Sequence, residues 1–101
     1  MPPFFVYILF SKKLNRFYTG STSLLPEERL NEHLEKLYGN SKFTAKANDW
    51  ILFHHIKCDS RKQAIAIEKH IKSMKSKKYI LNLSSYKEIS IKLLEKYKSL
   101  T

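Results

Sequence analysis

Hydrophobic and polar residues alternate with changing periods along the chain, and each change marks an element. Phe4-Phe5-Val6-Tyr7-Ile8-Leu9-Phe10 is β-branched, aromatic and apolar without a break. Such a run predicts a central strand buried on both sides. Ser11-Lys12-Lys13-Leu14-Asn15 is polar enough to turn the chain, and Arg16-Phe17-Tyr18-Thr19 predicts a second strand ending at Gly20, so the two form a hairpin with a loop of about five residues. Pro26-Glu27-Glu28 opens a helix, because Pro fits the first helical position and acids suit the first turn. Leu30, Leu34 and Leu37 make its apolar stripe, and Gly39-Asn40-Ser41 should end it. Lys42 to Asp49 has no clear period and is expected to be a loop.

Trp50 to Ile56 predicts a third strand. Asp59 or Ser60 can then cap a longer helix whose core stripe is Ala64, Ile67, Ile71 and Met74. Lys75, Lys77 and Lys78 suit the end of that helix. After Tyr79 to Leu83, the spacing of Ile89, Leu93, Leu94 and Tyr97 predicts a terminal amphipathic helix. The order is β-β-α-β-α-α. It implies an α/β chain of the α+β kind, with a three-stranded, mostly antiparallel sheet flanked by helices. Residues 1–83 are expected to form the working domain, with 84–101 a C-terminal helix packed on it.

Composition narrows what such a fold can do. With 101 residues the chain supports one domain and has little room for an enclosed small-molecule cavity, so no small-molecule cofactor is expected. One cysteine excludes a disulfide within the chain and a Cys-built zinc site. The run Phe4–Phe10 is too short to span a bilayer and lacks the flanks of a signal peptide, so a soluble, cytoplasmic protein with no membrane partner is expected. The 19 Lys and Arg outweigh 9 Asp and Glu for a net charge of +10, which favours a polyanionic partner, nucleic acid first. The charge is uneven. Residues 1–50 carry seven basic and five acidic side chains, and residues 51–101 carry twelve and four. Arg61–Lys78 alone holds seven basic residues and a single acid, Glu68. A solvated Lys-rich helix face would look the same, but localisation is also what a binding face requires.

Against that background a few side chains stand out. Tyr7 and Tyr18 lie in adjacent strands and share a face only if the register allows it; otherwise both are ordinary sheet-packing residues. Arg29 and His33, four apart, share one helix face beside the leucine stripe. They suit a phosphate, with Arg as a fixed fork of donors and His as donor or proton shuttle, although an Arg lying along the core edge fits the same spacing. Glu68 can pair with Lys72 at i,i+4, or hold a hard divalent cation against a phosphate. His54 and His55 point to opposite faces of a strand and cannot share a metal as neighbours. Cys58 reads as structural.

Taken in order, these residues resemble the GIY-YIG nuclease family. Val6-Tyr7-Ile8 stands where the first half of the family motif lies and Tyr18-Thr19-Gly20 where the second half lies, with departures at Val6 and Thr19. Ser21-Thr22 followed by Arg29-Leu30 and His33 is similar to the family's first helix, and Ala64 and Glu68, continuing as Lys69, Ile71 and Lys72, to its A-x-x-x-E helix. The resemblance covers residues 4–83. It implies a phosphodiesterase acting on nucleic acid, DNA first, with one divalent cation, Mg²⁺ or Mn²⁺, on Glu68. It also implies a catalytic set of Tyr7, Tyr18, Arg29, His33 and Glu68, in which either tyrosine could serve as base. Lys69, Lys72, Lys75, Lys77 and Lys78 would hold the nucleic-acid backbone, and Asn82 could add a polar contact. Without an appended recognition module, low sequence specificity or structure-specific cleavage is expected. A non-catalytic nucleic-acid-binding module on the same fold, or an interaction domain using the terminal helix, are the alternatives.

Overall fold

The uninterrupted apolar run becomes the middle strand of the sheet. In the computed structural model, which describes residues 3–35 and 47–100 (the side chains of His33, Glu35 and Leu100 excepted), β1 spans Phe4–Ser11. It pairs antiparallel with β2 (Arg16–Thr22) on one side and with β3 (Ile51–Cys58) on the other, in the order β2-β1-β3. Successive side chains of β1 point to opposite faces, and both faces are covered. Phe5 to Leu9 are therefore all buried.

The two faces carry different cores. On one, Val6 and Ile8 join Ile56 and Cys58 of β3 and meet helix α2 (Arg61–Met74) through Ala64, Ile67 and Ile71. Leu83 of α3 (Lys77–Ser85) and Leu93 of α4 (Lys87–Lys96) complete that core. On the other face, Tyr7 and Leu9 pack with Trp50 and Ala47, and Leu30 and Leu34 of α1 (Pro26–Glu35) close over them. A bulge between Ile8 and Leu9 lets β3 skip a partner at Phe53. The extra residue lets Leu52 serve the α1 face while Phe53 packs edge-on against Phe17, at 5.0 Å between ring centroids, on the other.

Local signals fix the ends. Ser60 caps α2 by accepting the Gln63 N–H. The buried Gln63 amide accepts from Asp59 N–H at 2.8 Å and donates to the Leu94 carbonyl at 2.9 Å, tying α2 to α4. Lys75 ends α2 in the left-handed conformation, and Ser76 immediately starts α3 by accepting the Tyr79 N–H. The hairpin tip, Lys12–Asn15, is held from outside. Ser11 Oγ donates to Asp49 Oδ1 at 2.6 Å, Lys13 N–H donates to Asp49 Oδ2 at 2.8 Å, and Lys77 Nζ donates to the Asn15 carbonyl at 2.8 Å.

Three expectations change. The observed order is β-β-α-β-α-α-α, with one more helix than the pattern implied, because the Ser76 cap turns Tyr79–Leu83 into α3. Met74, assigned to the core stripe, is 44% exposed at the last residue of α2, where Lys75 ends the helix in the left-handed conformation. The third strand begins at Ile51 and runs to Cys58, leaving Trp50 to fill the α1-side core from the preceding segment. Leu37, the Gly39-Asn40-Ser41 stop and residues 42–46 lie outside the described residues.

Candidate active site

Strand register brings the first pieces together. Tyr7 pairs with Gly20, and Leu9 with Tyr18, so both tyrosines emerge on the α1 face, one step apart along the hairpin. Their rings lie 6.3 Å apart between centroids. The Tyr7 side chain runs out over the backbone of Gly20, and a Cβ at position 20 would sit 2.5 Å from the Tyr7 hydroxyl oxygen. Gly20 does not have a positive φ. It is needed for the close approach and not for its conformation.

α1 supplies the cation. Arg29 Nε donates to Tyr7 Oη at 3.2 Å, and Arg29 Nη1 pairs with Glu32 one turn on at 3.0 Å. The guanidinium is thus anchored at both ends while keeping a partly exposed surface, a geometry suited to an oxyanion. Glu32, the ion-pair partner of Arg29, was passed over by sequence reasoning; its signal was the i,i+3 spacing from Arg29. Gly20 was read only as a strand end and a motif match, although its place opposite Tyr7 depends on register. His33 follows Arg29 by one turn of α1, and its side chain lies outside the described residues.

α2 contributes from the far side of the sheet edge. Glu68, with its side chain 18% exposed, pairs with Lys72 Nζ at 2.7 Å. Burial, with Tyr7 only 1% exposed, pushes that phenol well above its ordinary value. The Arg29 hydrogen bond pulls it down, and the neighbouring Tyr18 and the Glu68 charge push it up again, so the hydroxyl is held neutral. Tyr18 is only partly buried. Arg29 and Tyr7 are thus joined directly, and Glu68 is held by Lys72 on α2.

Of the predicted cations, Lys72, Lys75 and Lys77 line a cleft with β2. Lys69, Lys72, Lys75, Lys77 and Lys78 are all exposed, on α2, its C-terminal cap and the first turn of α3. Asn82 lies within α3, where its carbonyl accepts the Tyr86 N–H. His54 and His55 diverge as expected: His54 meets Ser90 of α4 at 3.2 Å, and His55 is exposed and edge-on to Phe5. Cys58 is buried, and burial raises its thiol to about 11, which keeps it inert.

Among the described residues no three His, Cys, Asp or Glu side chains converge to cage a metal. Glu68 offers a single hard oxygen donor group beside a basic face. That donor set fits a magnesium-like ion, which is held by one or two carboxylates and completes its shell with water and substrate oxygens.

A protein-family model, the GIY-YIG catalytic domain, matches residues 3–80. The chain belongs to the GIY-YIG family. The match runs from the start of β1 into α3 and takes in every element that carries Tyr7, Tyr18, Gly20, Arg29 and Glu68. GIY-YIG domains are nuclease domains and act on nucleic acid. Searches of curated proteins and of solved structures returned no match. Among the described residues, no helix is long and apolar enough to cross a membrane.

Proposed function

We propose that this GIY-YIG protein is a divalent-metal-dependent endonuclease. It hydrolyses phosphodiester bonds in DNA with low sequence specificity or with structure specificity. The observation that carries this is the Arg29–Tyr7 hydrogen bond at the β2 edge, which sets a cation on a buried phenol while the one carboxylate of α2, Glu68, stands on the helix packed against the same sheet. Arg29 would bind a non-bridging phosphate oxygen, whose charge grows in the transition state. Glu68 would hold Mg²⁺ or Mn²⁺ in place of the Lys72 ammonium it now pairs with. A bound ion there supplies charge neutralisation at the phosphate and the departing oxygen.

The tyrosines divide the remaining work. A phenol with a raised pKa is a poor base at neutral pH, so Tyr7 acts by holding Arg29 in place. Tyr18, partly exposed at the same edge, would orient the attacking water. His33, one turn beyond Arg29, would take or relay the proton. Lys69, Lys72, Lys75, Lys77 and Lys78 would hold the backbone without reading sequence.

The test is a cleavage panel of duplex, flap, branched and single-stranded substrates with Mg²⁺ or Mn²⁺, run beside Glu68→Ala. The variant should melt like the parent and lose cleavage by about 100-fold or more. Undiminished metal-dependent cleavage by Glu68→Ala would sink the proposal. Salt-sensitive DNA binding with no cleavage by the parent protein under either metal would instead favour a non-catalytic binding module.

A further inference from the structure

The seam between β2 and α2 opens into two hollows of different character. At the hairpin end, a cleft of about 500 Å³ lies between β2, the last turn of α2 and the start of α3. Its floor is apolar, made of Phe17, Ile71 and Ile80. Its rim carries Arg16, Lys75 and Lys77. At the opposite end, a hollow of about 420 Å³ is lined by Ser21, Thr22 and Ser23 with Phe4, Ile65 and the cation Arg61. Glu68 falls between them on α2, after Ile65 of the second hollow and before Ile71 of the first.

An apolar floor under a cationic rim suits a particular shape of nucleic acid. A base-paired duplex presents phosphates and shields its base faces. A single strand presents both, and proteins that hold single strands combine a positive groove with flat apolar contacts for bases. The volume lies within the range of about 300–1,000 Å³ typical of small-ligand pockets, enough for one nucleotide and not for a duplex. Lys72, which pairs with Glu68 at 2.7 Å, also lines the cleft, so the cleft adjoins the candidate metal-binding carboxylate along α2. The Lys77 ammonium is pinned to the hairpin tip through the Asn15 carbonyl, which fixes this part of the rim.

We propose that this cleft receives one unstacked nucleotide of a single-stranded segment next to the scissile phosphate, with the base on the Phe17–Ile71–Ile80 floor and its phosphates on the rim. The proposal rests on the nuclease reading for the position of the scissile phosphate. It narrows the substrate to nucleic acid that is single-stranded or splayed on the hairpin side of the cut.

The test is equilibrium binding, by fluorescence polarisation without divalent metal, of the full chain to single-stranded oligonucleotides in which one base at a time is removed to leave an abasic site. DNA and RNA versions run in parallel. One abasic position should weaken binding by about tenfold, the size of a lost stacking contact, while its neighbours do not. In Ile80→Glu the intact strand should bind as weakly as that abasic strand, and removing the base should cost nothing more. Because Ile80 also touches the core, Arg16→Cys gives a second reading at an exposed position. Its alkylation should be slowed by the intact strand and not by the abasic one, with the buried Cys58 unreactive. A flat abasic series, or an abasic penalty that persists in a folded Ile80→Glu, overturns the proposal. Cleavage with Mn²⁺ alongside a flat series would remove the cleft assignment and leave the nuclease standing. An abasic signature without cleavage would do the reverse.

Discussion

The two faces of the sheet are built for different ends. The face covered by α2, α3 and α4 is an apolar core of Val6, Ile8, Ile56, Ala64, Ile67, Ile71, Leu83 and Leu93, open at the cleft beside the last turn of α2. The face under α1 starts the same way, with Leu9, Trp50 and Leu30, but at Tyr7 and Tyr18 it turns into a polar edge reached by Arg29. The same strand supplies both, because its side chains alternate. One face can therefore be optimised for packing while the other gives up part of its packing to hold a guanidinium. Changes on the first face should cost stability and spare chemistry per folded molecule; changes on the second should do the opposite.

Ile67→Ala is the strongest test of that division. Ile67 is fully buried against β1 and β3, and the cavity left behind should cost about 2–5 kcal/mol, read as a lower urea midpoint. Cleavage per folded molecule should stay near the parent value; a selective loss of cleavage would show that the two faces are not separable.

Gly20→Ala follows, on the other face. Its new methyl group would drive into the Tyr7 hydroxyl, and overpacking of this kind costs about 1–3 kcal/mol. The displaced hydroxyl would carry Arg29 with it, so cleavage should fall by more than the stability loss explains. A Gly20→Ala protein with parental cleavage would show that the close approach has no bearing on the site.

Tyr7→Phe removes the hydroxyl and keeps the ring. Stability should change by about 1 kcal/mol or less, because a single hydrogen-bonded group is removed together with the crowding over Gly20. The rate should drop through loss of the Arg29 anchor, while the pH dependence of cleavage keeps its shape. If the alkaline or acid limb disappears in Tyr7→Phe, Tyr7 is itself the titrating group and not a positioning residue.

The smallest effect should come from the hairpin tip, away from both cores. The Asp49 carboxyl is held below its ordinary 3.8, first by the Ser11 hydroxyl and then by the Lys13 N–H. A carboxylate with a lowered folded-state pKa adds stability above its unfolded pKa, and that stability is lost as the pH falls through the folded value. Below about pH 4 the parent should therefore lose stability faster than Asp49→Asn, and the two denaturation midpoints should converge. Parallel curves from neutral to acid pH would assign the tip's order to other contacts.

Much of this was legible before any coordinates. The apolar run of β1, the Pro26-Glu27-Glu28 helix start and the Ala64–Ile67–Ile71 stripe depend on neighbours within a few residues, and all three formed as read. The errors came where local signals compete. Ser76 has a cap's chemistry, yet it follows so closely on α2 that the pattern ran past it and missed α3. Met74 continues the stripe by spacing, but it is the last residue of α2 and stays exposed where the chain turns at Lys75.

The sequence by itself determined the inventory: two tyrosines in a hairpin, an arginine on the first helix, one carboxylate in a basic run, and charge gathered in the second half of the chain. Periodicity, capping and composition are local, so they can be read along a line. Only the tertiary structure decided which of these residues meet. Hairpin register set Tyr7 over Gly20, the docking of α1 put Arg29 on the buried hydroxyl, and the packing of α2 against β1 and β2 set the helix that carries Glu68 on the same sheet. Each of those contacts joins residues far apart in sequence, and their geometry follows from how whole elements pack, which no short window of sequence contains.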